Sequence, residues 1–277
     1  MEEFDWQGHR GARAALPENT TPAMLFALQF PYIKTLECDV VVSKDSQIIV
    51  SHEPFFSHHI STRPDGEPVT EAEAMGFNLF EMTVEEIQKF DVGKRGNEKF
   101  PDQKPMAIFK PTLKEMIRTV NEYCEKNDRH GPAYNIEIKS HSDVYDKFVP
   151  QPKEFVRLLV KELRELGVLE DCTLQSFDTK ILEELNIQVP EATIALLVER
   201  TGNIKEDLST ISFKPEIYSP NYYFLTEGIV SEAHSQGIRV IPWTVNELKD
   251  LQRMVDIGVD GIITDYVDRP PNIHFKK

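Results

Sequence analysis

Short apolar runs alternate with stretches of helical periodicity along nearly the whole of this 277-residue chain. Runs at 4–8, 36–42, 133–138, 172–175, 193–197, 217–219, 239–244 and 261–264 read as strands. Between most of them lie amphipathic stretches at 21–29, 112–126, 152–166, 179–185, 204–208, 226–236 and 246–255, which read as helices. Thr112-Leu113-Lys114-Glu115 and Thr83-Val84-Glu85-Glu86 have the spacing of capping boxes, so each starts a helix. Gly237 and Gly258 follow helical runs and serve as stops before the next strand. Such alternation implies a parallel sheet with right-handed crossovers. Eight units predict closure into a (β/α)8 TIM barrel, a fold that takes roughly 250 residues. Residues 1–277 therefore read as a single domain.

One stretch breaks the rhythm. Residues 47–51 form an extra short strand after the second one, ending at His52. Residues 53–111 then interrupt the barrel, with Pro64-Asp65-Gly66, a helix expected over 84–90 and a polar stretch over 93–103. A loop this long inside a compact domain is usually a functional lid or a small insertion, and 53–111 is expected to be an insertion subdomain.

Charged residues sit inside two of the apolar runs. Glu37 and Asp39 lie within Thr35-Leu36-Glu37-Cys38-Asp39-Val40-Val41-Val42, and Glu137 and Lys139 within Tyr134-Asn135-Ile136-Glu137-Ile138-Lys139. Successive strand residues face opposite ways, so each pair projects from one face. Burying such groups without partners is costly. A hard divalent cation, Ca²⁺ or Mg²⁺, offsets that cost for three carboxylates, because carboxylate oxygens are its preferred ligands. In a barrel the active face is built from the C-terminal strand ends. His9-Arg10-Gly11 follows the first strand, His52 ends the extra strand, Glu137 and Lys139 end the third barrel strand and Trp243 ends the seventh. An arginine fork and a lysine point charge suit phosphate, and two histidines can exchange protons near neutral pH. Together they point to phosphodiester cleavage.

Composition narrows the partners. Lys plus Arg number 31 and Asp plus Glu 46, a net charge of −15, which argues against nucleic acid or anionic lipid as the main partner. Three isolated cysteines, Cys38, Cys124 and Cys172, form neither a disulfide framework nor a thiolate zinc site. Cys38 alternates with Glu37 and Asp39 and so faces the core behind the strand. No run approaches the roughly 18 apolar residues of a membrane span, so stable membrane insertion is not expected. The acidic start Met1-Glu2-Glu3-Phe4-Asp5 is not a signal peptide. A leader removed from a precursor would leave no trace, so cytoplasm and periplasm both stay open, as does the oligomeric state.

The chain resembles the glycerophosphodiester phosphodiesterase family. The matching segments include His9-Arg10-Gly11, Pro17-Glu18-Asn19-Thr20, Glu37-Cys38-Asp39-Val40, Ser51-His52-Glu53, Asn135-Ile136-Glu137-Ile138-Lys139, Gln175-Ser176-Phe177-Asp178, Trp243-Thr244-Val245-Asn246 and Asp260-Gly261-Ile262-Ile263-Thr264-Asp265. They run from the first strand to the last. The resemblance implies His9 and His52 as the acid–base pair, and Glu37, Asp39 and Glu137 as ligands of one divalent cation. It implies Arg10 and Lys139 on phosphate. Trp243 reads either as simple packing or as a wall on the alcohol side of the pocket. The implied reaction is metal-dependent hydrolysis of small glycerophosphodiesters to glycerol 3-phosphate and an alcohol, a step of lipid and glycerol metabolism. Cys38 departs from the apolar residue more usual there, but it faces away from the ligands.

Two other readings are weaker. A phospholipase D-like or lysophospholipid phosphodiesterase of the same superfamily would favour an exposed apolar or basic rim. A non-catalytic phosphate-ester binding protein would lack one of His9, His52 or the carboxylates, and none is missing. Glu18 is expected to order its turn or support Arg10. His58-His59 is expected to be solvated, with the rings facing apart.

Overall fold

The computed structural model describes residues 4–200 and 203–275, so the acidic residues 1–3 lie outside the described part. Its strands are β1 (Asp5–Gly8), β2 (Ile33–Val42), β3 (Ile48–Val50), β4 (Ala133–Ile138), β5 (Cys172–Ser176), β6 (Thr193–Val198), β7 (Ile217–Pro220), β8 (Arg239–Val240) and β9 (Gly261–Thr264). Eight of them run in the order β8-β7-β6-β5-β4-β2-β1-β9, every neighbouring pair parallel. β3 lies off this path and pairs antiparallel with β2. The ring closes between β9 and the chain around and beyond β8. Val240 O accepts from Asp260 N at 2.9 Å, Pro242 O from Ile263 N at 3.0 Å, and Ile263 O from Val245 N at 3.0 Å. The fold is the TIM barrel that the alternation predicted.

The helices are α1 (Thr21–Ala27), α2 (Glu71–Ala74), α3 (Val84–Ile87), α4 (Leu113–Lys126), α5 (Pro152–Leu166), α6 (Thr179–Gln188), α7 (Ile204–Leu208), α8 (Glu227–Ser235) and α9 (Leu248–Asp256). Both capping boxes form: Thr112 with Glu115 opens α4, and Thr83 with Glu86 opens α3. The main core lies between strands and helices. Leu36, Cys38, Val40 and Ile136 face Met116, Ile117 and Val120 of α4 and Phe155 and Leu159 of α5, all buried. Each such aliphatic side chain contributes about 1.5–3 kcal/mol by leaving water. Cys38 thus faces the core, as its strand position requires. Among the described residues no helix is long and apolar enough to cross a membrane.

Three departures from expectation have a visible cause. β2 starts at Ile33, three residues before the apolar run at 36, because Ile33 already pairs with Trp6 of β1. β8 is only two residues long, not the expected run over 239–244. Pro242 has no N–H to give to a ladder, although the chain stays close to its neighbours through Ile241 N to Tyr218 O and Trp243 N to Pro220 O. The helix expected over 84–90 stops at Ile87, and Phe90 instead stacks on Phe56 with ring centroids 4.1 Å apart.

That stacked pair belongs to a second apolar cluster. Val41 and Ile49 meet Phe56, Leu79, Ile87 and Phe90 there, apart from the main core. Val41 continues the face of Glu37 and Asp39. The segment after β3 is thereby anchored beside the acidic residues.

Candidate active site

Glu37 and Asp39 point the same way from β2, and β4 brings Glu137 into register with Asp39. Glu37, Asp39 and Glu137 each offer an oxygen, and these oxygens all lie within 4.8 Å of one another. The three residues are 1%, 0% and 9% exposed. Neighbours hold each in place. Arg10 N donates to Glu37 Oε2 at 2.8 Å and Gln175 Nε2 to Glu37 Oε1 at 3.3 Å. Asn19 Nδ2 donates to Asp39 Oδ2 at 2.7 Å, and Lys139 Nζ to Glu137 Oε1 at 2.7 Å.

Burial, and then the charge of Asp39, push the Glu37 carboxyl well above the usual carboxylate range. Burial also raises Glu137, with Lys139 opposing in part. Asp39 goes the other way: burial works against its charge, but Arg10, Lys139 and the Asn19 hydrogen bond overcome it and hold the carboxyl low. Three crowded carboxylates that cannot all carry charge comfortably are an electrostatic demand for a cation. Asp39 Oδ1 is buried with no hydrogen-bond partner, and Lys139 Nζ is 3.9 Å from it. An orphaned oxygen in a set of hard donors fits a divalent ion such as Ca²⁺ or Mg²⁺.

The loop after β1 is folded tightly around this cluster. Gly11 has φ +85°, and a Cβ there would meet the α1 backbone at 2.7 Å. Arg10 and Asn19 also adopt left-handed backbone, with φ 50° and 56°. Such conformations cost about 1–3 kcal/mol and persist where the surroundings enforce them. Here they aim Arg10 at both flanking carboxylates: its Nη1 donates to Glu18 Oε1 at 2.6 Å, and its Nε lies 3.2 Å from Asp39 Oδ2. Glu18 also takes Arg13 Nε at 2.6 Å. Burial opposes the Glu18 charge, but the two arginines lower its carboxyl to about 2. Support of Arg10 by Glu18 is therefore as the sequence suggested.

Each histidine is steered by a carboxylate. His9 Nδ1 lies 2.6 Å from Asp265 Oδ1, which leaves Nε2 3.9 Å from Glu37 Oε2. Burial lowers the His9 pKa despite the opposing pull of Asp265. His52 Nδ1 lies 2.8 Å from Glu53 Oε1, and its Nε2 is 3.1 Å from Lys139 Nζ. An ammonium can only donate, so His52 Nε2 accepts and its proton sits on Nδ1. Burial works against the Lys139 charge, but Glu137 and Asp39 outweigh it and raise its pKa.

A cleft of about 300 Å³ brings His9, Arg10, Glu37, His52, Glu137 and Lys139 together with Trp243 and Phe177. Trp243 stands three residues beyond β8 rather than at a strand end. Its Nε1 donates to Ser219 O at 2.8 Å, and its ring meets Phe177 edge-on at 5.4 Å. It both packs on the barrel lining and walls the cleft. His58 and His59 do not face apart as expected: their ring centroids are 3.9 Å apart. The backbone turns there, with Ser61 N bonding Ser57 O at 3.0 Å, so strand alternation does not apply.

The sequence reading gave no role to Asp265, Asn19, Gln175, Glu53 or Lys110. Asp265 closes the last strand, and a carboxylate at a barrel strand end was the available signal. Asn246 secures it, with Nδ2 donating to Asp265 Oδ2 at 2.8 Å and Oδ1 accepting from Asp265 N at 3.0 Å. Lys110 carried no sequence signal at all, since its neighbours in space are distant in the chain.

A TIM barrel whose open end gathers buried carboxylates, two oriented histidines and an arginine has the build of a barrel hydrolase. The model of the glycerophosphoryl diester phosphodiesterase family matches residues 9–269. The chain belongs to that family, and it is an enzyme of that kind. A glycerophosphodiester phosphodiesterase of Caldanaerobacter subterraneus subsp. tengcongensis is 28% identical over 257 residues, covering 93% of this chain and 92% of the relative. A solved protein of Silicibacter pomeroyi, assigned as a glycerophosphoryl diester phosphodiesterase, superposes with TM-score 0.84 at 29% identity, over 96% of this chain and 91% of that one. An Oleispira antarctica phosphodiesterase solved with the product sn-glycerol-3-phosphate shares the fold at TM-score 0.74 and 20% identity, over 97% and 95% of the two chains.

Proposed function

We propose that this chain hydrolyses small glycerophosphodiesters to glycerol 3-phosphate and a free alcohol, with Glu37, Asp39 and Glu137 holding one divalent cation, Ca²⁺ or Mg²⁺. The single observation that carries the reading is the buried carboxylate triad with its oxygens within 4.8 Å of one another. When bound, the cation neutralises charge that develops on the phosphate oxygens. Arg10 and Lys139 hold the phosphate from the two sides of the triad. His9 and His52 are the acid–base pair: one accepts the proton of the attacking oxygen and the other protonates the leaving alkoxide. Asp265 and Glu53 fix the two rings, so each presents Nε2 to the reaction. Trp243 and Phe177 wall the cleft that takes one ester arm. The product found in the Oleispira antarctica relative agrees with this substrate class. On the same reading, 53–111 is an inserted subdomain of one catalytic domain, seated over the mouth.

The test is release of glycerol 3-phosphate from glycerophosphocholine and glycerophosphoethanolamine, with calcium, magnesium or chelator. Metal-dependent release is expected. A full rate in excess chelator would remove the triad from the mechanism.

A further inference from the structure

Beside the acidic triad the mouth opens into a second lobe of about 240 Å³, bordered by the segment after β3. Four basic side chains line it, Arg10, Arg13, Lys99 and Lys110, against the two carboxylates Glu18 and Glu53. This local excess of positive charge opposes the −15 of the whole chain. Both carboxylates are already engaged, Glu18 by two arginines at 2.6 Å each and Glu53 by His52 at 2.8 Å.

Lys110 stands out within the lobe. It is 6% exposed, yet its ammonium makes one hydrogen bond, to the neutral Ser51 Oγ at 2.8 Å. That hydroxyl gives its own hydrogen to Glu53 O at 2.6 Å. The Phe56 ring lies 5.5 Å away. Among the described residues Lys110 has no ion pair. An ammonium carries three donors, and a charge this deeply buried is ordinarily paired. Burial lowers the Lys110 pKa to about 8, which still leaves it charged at neutral pH. Lys99 nearby is exposed and also lacks an ion pair among the described residues.

Arg10 and His52 border this lobe and the Trp243 cleft alike. A phosphate seated on them sends one ester arm into each. We propose that the Lys110 lobe is a second phosphate subsite, which selects glycerophosphodiesters whose alcohol arm carries a further phosphate. The proposal rests on the reading that Arg10 and His52 engage the scissile phosphate. Lys110 supplies unpaired donors at the base of the lobe, and Arg13 and Lys99 supply charge at its rim.

The test uses a matched pair, glycerophosphoinositol and glycerophosphoinositol 4-phosphate, which differ by that one phosphate. The metal-loaded enzyme is expected to favour the phosphorylated member at least tenfold in kcat/KM. Lys110→Met should bring the ratio close to one, and Lys99→Ala, at an exposed position, should lower it several-fold. A wild-type ratio at or below one overturns the proposal, as does a ratio unchanged in both variants, which would make Lys110 a packing residue. Loss of turnover on every diester would instead strike the hydrolysis reading. Calorimetry then decides the subsite: a tenfold tighter affinity for the 4-phosphate supports it, and equal affinities overturn it.

Discussion

Gln7, Glu37, Asn135 and Gln175 occupy the lumen beside β1, β2, β4 and β5, whereas Ala195, Ile217, Ile241 and Ile263 occupy it beside β6 to β9. On the polar side the lumen is wired by hydrogen bonds. Thr35 Oγ1 and Gln7 Nε2 both donate to Asp5 at 2.7 Å, Asn135 Nδ2 donates to Gln7 Oε1 at 2.7 Å, and Gln175 reaches up to Glu37. Buried polar groups tolerate little freedom once satisfied, so this wiring fixes the strands that carry the triad. Ala195, Ile217, Ile241 and Ile263 carry no side-chain donor that would compete for the carboxylates. They supply a rigid wall on which Trp243 rests. One barrel therefore divides its labour: one side orders charge, and the other packs.

The division is most sharply tested by removing charge. Glu37→Gln is expected to cut activity roughly 10³-fold, about 4 kcal/mol of transition-state stabilisation, and to weaken metal binding in calorimetry. The same change relieves repulsion within the triad, so thermal unfolding in chelator should shift upward. A downward shift would mean the carboxylates hold the apo fold together. Next, His52→Ala should lower turnover roughly 10²- to 10⁴-fold while calorimetric metal affinity stays at the wild-type value. An unchanged rate would remove His52 from the chemistry.

On the packing side, Ile241→Ala opens a cavity at a position 1% exposed and should cost about 2–5 kcal/mol in denaturant unfolding. Metal affinity should persist. Metal loss equal to that of Glu37→Gln would break the comparison. The smallest effect is pH-dependent. The Glu18 carboxyl drops from 4.5 to about 2 on folding. A lowered folded pKa gives stability above the unfolded value, which is lost as pH falls from about 4.5 toward 2. Glu18→Gln should therefore be about 3 kcal/mol less stable than wild type at pH 6. That gap should close by pH 2, and one that stays constant would show that the Arg10 and Arg13 pairs contribute no linkage.

How much of this was legible in the chain depends on distance along it. Strand alternation put Glu37 beside Asp39 and turned Cys38 to the core, and both capping boxes formed at the expected residues. The barrel follows from patterns a few residues long, repeated along the chain, and the placing of Glu37, Asp39 and Glu137 within strands from charges set inside apolar runs. The early end of α3 and the two-residue β8 were not legible, because tertiary contacts of Phe90 and the missing N–H of Pro242 overrode periodicity.

By itself the sequence determined which side chains share a strand face, since that period is set by backbone sterics within two residues. The tertiary structure alone decided which charge meets which partner. Asp265 finds His9 across 256 positions, Asn19 finds Asp39 across 20, and Lys110 finds Ser51 across 59. Those pairings arise only once the chain has folded, because electrostatic and hydrogen-bond contacts act through space at a few ångströms and carry no periodic mark along the chain.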